Sequence, residues 1–465
     1  MTENKQMSKD FPGLNENKKS GFSSKIGFIL AASGSAVGLG NLWRFPYLTA
    51  QYGGGAFILC YALLAVFFGI VLLMLEIGIG RKTGKSVIGA FPTLNQKFKW
   101  VGYLSIIAPL IIVPYYCVIG GWVVKYAWSF LIGAEGVVGS AVNSGEFFGS
   151  FVSNPFEPLI FFFIFAAVTV VIVAFGVQKG IENMSKVLMP ALALIAVFLM
   201  IYVLCQENAV KGLEYVLVPN FKDLTFKTLL GALGQLFYSL SIGMCIMITY
   251  GSYMKKDANV KSSSIQIAGF DSAFALIASL IIIPAVFAFG AGKEALKEDG
   301  PSLMFVQLTN VFNALPGGGI IGTLFFVLVF FAAVTSSVSL VETIVAALCE
   351  NGKIKRVTAC IIVFSIILVL GTLSSLSNGV LADFKIAGLV ILDAFDYLAN
   401  NIIIPVVAII TCVFAGWFID KTIIPKEICI DKTPWLNKYF NVVIKYVAPI
   451  CILIILITGI FVEKL

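Results

Sequence analysis

The chain has no histidine at all. That removes the commonest acid–base side chain near neutral pH and the nitrogen ligand of most zinc sites. Its nine cysteines lie mostly inside apolar runs (Cys60, Cys117, Cys205, Cys245, Cys349, Cys360, Cys412, Cys451) and form no Cys-x-x-Cys. Such thiols read as packing residues. No Gly-x-x-x-x-Gly-Lys-Ser/Thr occurs and no soluble nucleotide domain is visible, which excludes a nucleotide-driven pump. Charge is scarce too. Only 12% of the 465 residues are charged while 59% are hydrophobic, and the mean hydropathy is +0.97. A soluble chain carries roughly a quarter charged residues, so this one reads as an all-α polytopic membrane protein. The net charge of +7 belongs to its loops and gives no support for a nucleic-acid partner. The polar, lysine-rich start through Lys25 lacks the short apolar core of a cleavable signal, so the first span is expected to stay in the mature protein.

What is present is a succession of apolar runs long enough to cross a bilayer, about eleven between Ser24 and Phe461. Lysine and arginine alternate between the loops. The N-terminal tail (Lys5, Lys9, Lys18, Lys19), the second loop (Arg81, Lys82, Lys85, Lys97, Lys99) and the clusters at Lys255 and Lys353 fall on one side. By the positive-inside rule that side is the cytoplasm. The loop from Gly133 to Pro158 has three glutamates and no basic residue, as an outside loop should. An odd number of spans then puts the C-terminus outside. A multi-pass membrane protein with a cytoplasmic N-terminus is expected, embedded in the lipid bilayer with no obligate protein partner.

One span is anomalous. Residues 31–46 contain Gly34, Gly38 and Gly40, the polar Ser33, Ser35 and Asn41, and Arg44. Within a membrane, polar and glycine-weakened backbone belongs where it lines a protein-walled cavity. The spacing of Gly34 and Gly38 also fits a helix-packing face, but Asn41 and Arg44 have no part in simple packing. The sixth span is interrupted in the same way, at Ser239-Leu240-Ser241-Ile242-Gly243, and crosses from the opposite side. Two broken helices at matching places in oppositely oriented halves predict an ion and substrate site near the membrane midplane.

The run Gly34-Ser35-Ala36-Val37-Gly38-Leu39-Gly40-Asn41-Leu42-Trp43-Arg44-Phe45-Pro46, followed by Gly53-Gly54-Gly55-Ala56-Phe57, resembles the signature of the neurotransmitter:sodium symporter family. The likeness continues through Glu76, Gly80-Arg81, Tyr115-Tyr116, Ser239 to Tyr253 and Thr335-Ser336-Ser337. It covers the chain beyond about residue 20 and is closest to the bacterial eleven-helix branch, among sodium-dependent tyrosine or hydrophobic amino-acid transporters. The resemblance implies a leucine-transporter-type fold of two inverted five-helix repeats. A cytoplasmic tail (1–23) precedes helices 1–5 (24–205) and helices 6–10 (226–418), with helix 11 at 439–462. It implies no enzymatic activity and no organic cofactor.

The resemblance further implies two sodium sites. The first takes the carbonyls of Ala36 and Ser239 and the side chains of Asn41, Ser239 and Asp271. The second takes the carbonyls of Gly34, Val37 and Ala332 and the hydroxyls of Thr335 and Ser336, although such hydroxyls often simply bond back to their own helix. A substrate carboxylate is expected at the N–H groups of Leu39 and Gly40, where a half-helix begins, and on the Tyr116 hydroxyl. The ammonium is expected at the carbonyls of Ala36 and Tyr238 and at Ser241. Ile112, Tyr116, Tyr238, Met244, Ser336 and Leu340 would line the side-chain pocket. Met244 stands where several members carry phenylalanine, and a thioether adapts well to a large ring. A large hydrophobic or aromatic L-amino acid is therefore expected, tyrosine first, with tryptophan or a branched-chain residue as the alternative.

Asp271 departs from the family, which often has asparagine there, and Ala275 stands where chloride-dependent members show serine. A fixed carboxylate beside sodium supplies the negative charge that chloride gives elsewhere, so chloride is not expected to be required. Two gates are also implied. Arg44 should pair with Asp396 on the outside, above Tyr116 and Tyr238. Lys19 should pair with Glu350 on the inside, helped by Tyr253, with Lys19 and Phe22 replacing the usual arginine and tryptophan. Two other classes are disfavoured. A channel needs a continuous polar path, whereas these polar residues cluster at one depth, and Glu76, Asp271 and Asp396 show no spacing for acid–base catalysis.

Overall fold

A computed structural model describes residues 21–139, 143–289, 301–350 and 352–461. Among the described residues there are helices and no strand, only two isolated bridges. The spanning elements are a bent α1 (Lys25–Ala36 with Gly40–Gln51), α2 (Gly55–Thr83), α3 (Gln96–Leu131), α4 (Glu157–Ala174) and α5 (Val177–Leu204). There follow α6, in two pieces (Phe226–Ser239 and Ile246–Ser252), and α7 (Val260–Phe289). The set closes with α8 (Gly318–Cys349), α9 (Arg356–Leu376), α10 (Ile391–Phe418) and α11 (Pro434–Phe461). Nine of these are each long and apolar enough to cross a membrane, and α1 makes a tenth if its two pieces count as one span. The interrupted α6 is not among them, so nine or ten such spans stand against the eleven expected.

Hydrophobicity cannot sort helices within a membrane, because lipid and protein interior are equally apolar, so burial does the sorting. The central windows of α3 and α8 are 83% and 78% buried, against 28% for α5 and α11. The first pair therefore forms the inner bundle, and the latter two face lipid over much of their length. Close packing at the centre relies on small residues. A Cβ on Gly80 of α2 would overlap the carbonyl oxygen of Ile248, and one on Gly251 would come 2.5 Å from the carbonyl oxygen of Ile77. The second piece of α6 is thus fastened along α2.

The breaks lie close to where the sequence places them, each slightly displaced. In α1 the helix is lost at Val37 and Gly38 and resumes as a π-turn over Gly40–Arg44, bending the span by 55°. Asn41 sits inside that π-turn rather than in the gap, because its Oδ1 accepts the Gly38 N–H at 3.1 Å and so replaces a missing backbone acceptor. In α6 the non-helical stretch is Leu240–Cys245, with Ser241, Gly243 and Cys245 at φ of 55°, 79° and 60°. The orphan N–H of Gly243 is taken by the buried carboxylate of Glu76, at 2.8 Å from Oε1.

Candidate substrate and sodium site

The two breaks face each other, and the pocket between them is lined by every residue the sequence assigns to the substrate: Ala36, Leu39, Gly40, Ile112, Tyr116, Tyr238, Ser241, Met244, Ser336 and Leu340. Ser35, Gly38, Asn41, Ser239 and Ile246 complete the wall. Leu39 and Gly40, where the α1 half-helix resumes, are part of this lining, and a helix start favours an anion. Tyr116 Oη is buried there without a well-formed protein hydrogen bond. Ser241 Oγ lies 3.3 Å from the Ser35 carbonyl oxygen. A Cβ on Gly40 would run into the Tyr238 ring, so glycine is what lets that ring close over the pocket.

Asn41, Ser239 and Asp271 converge from α1, α6 and α7. Ser239 Oγ donates to Asp271 Oδ1 at 2.6 Å, Asn41 Nδ2 donates to the same oxygen at 2.8 Å, and Tyr61 Oη donates to Oδ2 at 2.6 Å. Asp271 has no exposed surface. It makes no ion pair among the described residues, so its charge is met only by neutral donors. Gln235 Nε2 adds a 3.2 Å bond to the Gly40 carbonyl oxygen, while its buried Oε1 has no partner.

The second group gathers where α1 crosses α8. Ser336 Oγ reaches the carbonyl oxygens of Ser35, Val37 and Gly34 at 3.1, 3.3 and 3.4 Å. Thr335 keeps to its own helix, donating to the Ala332 and Phe331 carbonyls at 3.0 and 3.1 Å. The glycines here fit the packing face that the spacing of Gly34 and Gly38 suggests. Gly34, Gly38 and Gly40 do not adopt positive φ, and their small size serves close approach more than unwinding. A Cβ on Gly34 would come 3.1 Å from both Thr335 Cβ and Met189 Sδ, and one on Gly38 2.6 Å from Ser336 Oγ.

The gates depart from expectation. Arg44 makes no ion pair with Asp396; its guanidinium lies 5.3 Å from the centre of the Tyr238 ring, and both side chains line a second cavity. Asp396 instead accepts from Asn400 Nδ2 at 2.7 Å, and Asn400 also reaches Tyr115 Oη at 3.3 Å. A guanidinium over an aromatic face gains a cation–π attraction, which holds Arg44 there without an ion pair. Of the other expected pair, Lys19 lies outside the described residues. Glu350 accepts the Ser86 N–H at 2.8 Å. Tyr253 does not serve Glu350 with its hydroxyl, which donates to Glu342 at 2.7 Å.

Glu342 and Arg356 were not singled out from sequence. Glu342 is fully buried on α8 and is paired with Arg356, whose Nε also donates to the Val173 carbonyl oxygen at 2.9 Å. The only signal was an acidic residue within an apolar run. Phe22 seals the same end, edge-on to Phe28, Tyr250 and Tyr253, with its N–H on the Tyr253 carbonyl oxygen at 3.1 Å.

A profile described as the Sodium:neurotransmitter symporter family matches residues 19–134 and 157–464. The sodium-dependent transporter YhdH of Bacillus subtilis is 37% identical over 88% of this chain and 90% of its own. A sodium-dependent transporter of Haemophilus influenzae is 31% identical over 96% of this chain and 99% of its own. Among solved structures, the crystal structure of MhsT in complex with L-phenylalanine superposes with a TM-score of 0.85 at 38% identity, covering 95% of this chain and all of that one (100%).

Proposed function

This chain belongs to the sodium:neurotransmitter symporter family, and from that premise we propose that it imports a large hydrophobic or aromatic L-amino acid, tyrosine foremost, without needing chloride. The fold is the leucine-transporter type and the protein is a multi-pass, sodium-dependent membrane symporter. In the proposed arrangement the repeats span 24–205 and 226–418, the N-terminus faces the cytoplasm of a bacterial cell and the C-terminus faces outward. Two sodium ions are bound, one at Ala36, Asn41, Ser239 and Asp271, the other at Gly34, Val37, Ala332, Thr335 and Ser336. The second site requires Thr335 to turn its hydroxyl from its own helix toward α1.

The observation that carries the chloride reading is Asp271. A buried carboxylate surrounded only by neutral donors is costly unless a cation joins it, and a sodium ion among Asn41, Ser239 and Asp271 would balance the charge without an added anion. The substrate class is supported by an apolar wall of Ile112, Met244 and Leu340 between two tyrosines, and by a relative solved with L-phenylalanine. Coupling follows from contact: the substrate carboxylate at Leu39 and Gly40 adjoins the first sodium, so each raises the affinity of the other.

The test is uptake of labelled tyrosine, tryptophan and leucine into proteoliposomes under an imposed inward sodium gradient, repeated with gluconate in place of chloride. Tyrosine uptake that needs sodium and persists in gluconate is expected. Loss of uptake in gluconate would reject the role given to Asp271, and glycine competing as well as tyrosine would reject the substrate class.

A further inference from the structure

The cytoplasmic half of α1 is held by a carboxylate that the substrate and sodium groups do not use. Glu182 ends the π-turn Val177–Glu182 that opens α5, and it is fully buried. It accepts the Ser23 backbone N–H at 2.6 Å, the Ser23 hydroxyl at 2.5 Å and the Ser24 hydroxyl at 3.1 Å. Lys186, one turn further along α5, pairs with it at 2.7 Å. Ser24 in turn caps α1 by accepting the Gly27 N–H at 3.0 Å. A Cβ on Gly27 would overlap the same carboxylate, so the first turn of α1 is thinned to admit it. The start of α1 is thus tied to one acidic side chain of the neighbouring helix, beside the Phe22 N–H bond to the Tyr253 carbonyl oxygen.

The same face of α5 reaches the sodium-site residues. Met189 is seven residues beyond Glu182, two helical turns along one face, and its Sδ abuts Gly34. Separating α1 from α5 would open a route from the Gly34 carbonyl to the cytoplasm. That separation cannot occur while Ser23 and Ser24 remain on Glu182. Lys186 belongs to α5 and stays with the carboxylate when α1 departs, so the carboxylate keeps a counter-charge in the open state and the contact is reversible.

We propose that Glu182 is a positioning residue for the transport cycle, a latch whose hydrogen bonds to Ser23 and Ser24 keep the cytoplasmic exit shut while ions are bound. This rests on the sodium symport reading above. Hydrogen exchange reads the local opening of α1 directly. The full-length protein in lipid nanodiscs is compared with Glu182→Gln, Glu182→Asp and Ser23→Ala, in sodium and in potassium, following amides of residues 22–33 and, as control, 332–340.

In sodium, Glu182→Gln should exchange residues 22–33 about 10-fold faster than the natural protein, as expected for hydrogen bonds that lose a charged acceptor. Residues 332–340 should stay protected, Glu182→Asp should recover part of the protection, and Ser23→Ala should lie in between. Exchange of Glu182→Gln within about 2-fold of the natural protein, with sodium protecting both, overturns the latch. Should Glu182→Gln not fold, Ser23→Ala decides, and unchanged exchange there overturns it equally. A natural protein that sodium does not protect would instead overturn the symport reading, and the two failures are told apart in the unmutated chain.

Discussion

Ser239 Oγ donates to Asp271 Oδ1 at 2.6 Å. That bond ties the residue just before the α6 break to the middle of α7, and Asn41 joins it from the other broken helix. With Tyr61 of α2 on the other oxygen, four helices meet at one buried carboxylate.

Replacing Asp271 by asparagine keeps the shape and removes the charge. Bonds to charged groups contribute about 1.5–3 kcal/mol, so sodium-driven tyrosine uptake in chloride-free medium should fall about 10- to 100-fold. Adding chloride should restore part of it if the anion can take over the charge. Uptake by Asp271→Asn equal to that of the natural protein in gluconate contradicts the assignment.

Ser336 is the side chain that spans from α8 to the exposed carbonyls of α1. Ser336→Ala should raise the sodium concentration for half-maximal uptake by about 10-fold, the equivalent of roughly 1.4 kcal/mol for one lost ligand. Thr335→Val should behave similarly even though Thr335 bonds within its own helix in this conformation. A sodium titration of uptake for each variant checks this.

Two glycines separate stability from function. Gly80→Ala drives a methyl into the backbone of Ile248, which cannot swing aside, so overpacking of about 1–3 kcal/mol should appear as a lowered melting temperature in detergent. Gly40→Ala meets the Tyr238 ring, a side chain that can turn away. It should leave melting nearly unchanged while weakening substrate binding about 10-fold, read by tyrosine titration.

Met244→Ala removes the flexible thioether from the pocket wall. A sulfur–aromatic contact contributes about 0.3–1.5 kcal/mol, so the preference for tyrosine over leucine, as a ratio of kcat/KM, should fall about 2- to 10-fold. An unchanged ratio would show that the selectivity lies elsewhere in the pocket.

Much of the site could be read without coordinates because its chemistry is local. Hydrophobic length gives the spans. A polar, glycine-rich interruption within a span needs a protein-lined cavity to exist at all, and this is why 31–46 and 239–243 announce the site. The family likeness then attaches roles to positions. The limits of each break were less legible, since they depend on which side chains replace lost backbone bonds: Asn41 does so for Gly38 and Glu76 for Gly243.

What the sequence by itself determined is the all-α membrane architecture and the two interrupted helices, because these follow from hydrophobic length and composition, while the residues that line the pocket came through the family resemblance. Only the tertiary structure decided who meets whom across helices. It sends Tyr253 to Glu342 and not to Glu350, rests Arg44 on Tyr238 apart from Asp396, sets Thr335 and Ser336 against Gly34 and Gly38, and seats Ser23 and Ser24 on Glu182. Those pairings depend on crossing distances and on the conformation in which the gates stand. A linear chain encodes such distances only through the packing of the whole, and a charge inside an apolar run states that it needs a partner without saying which.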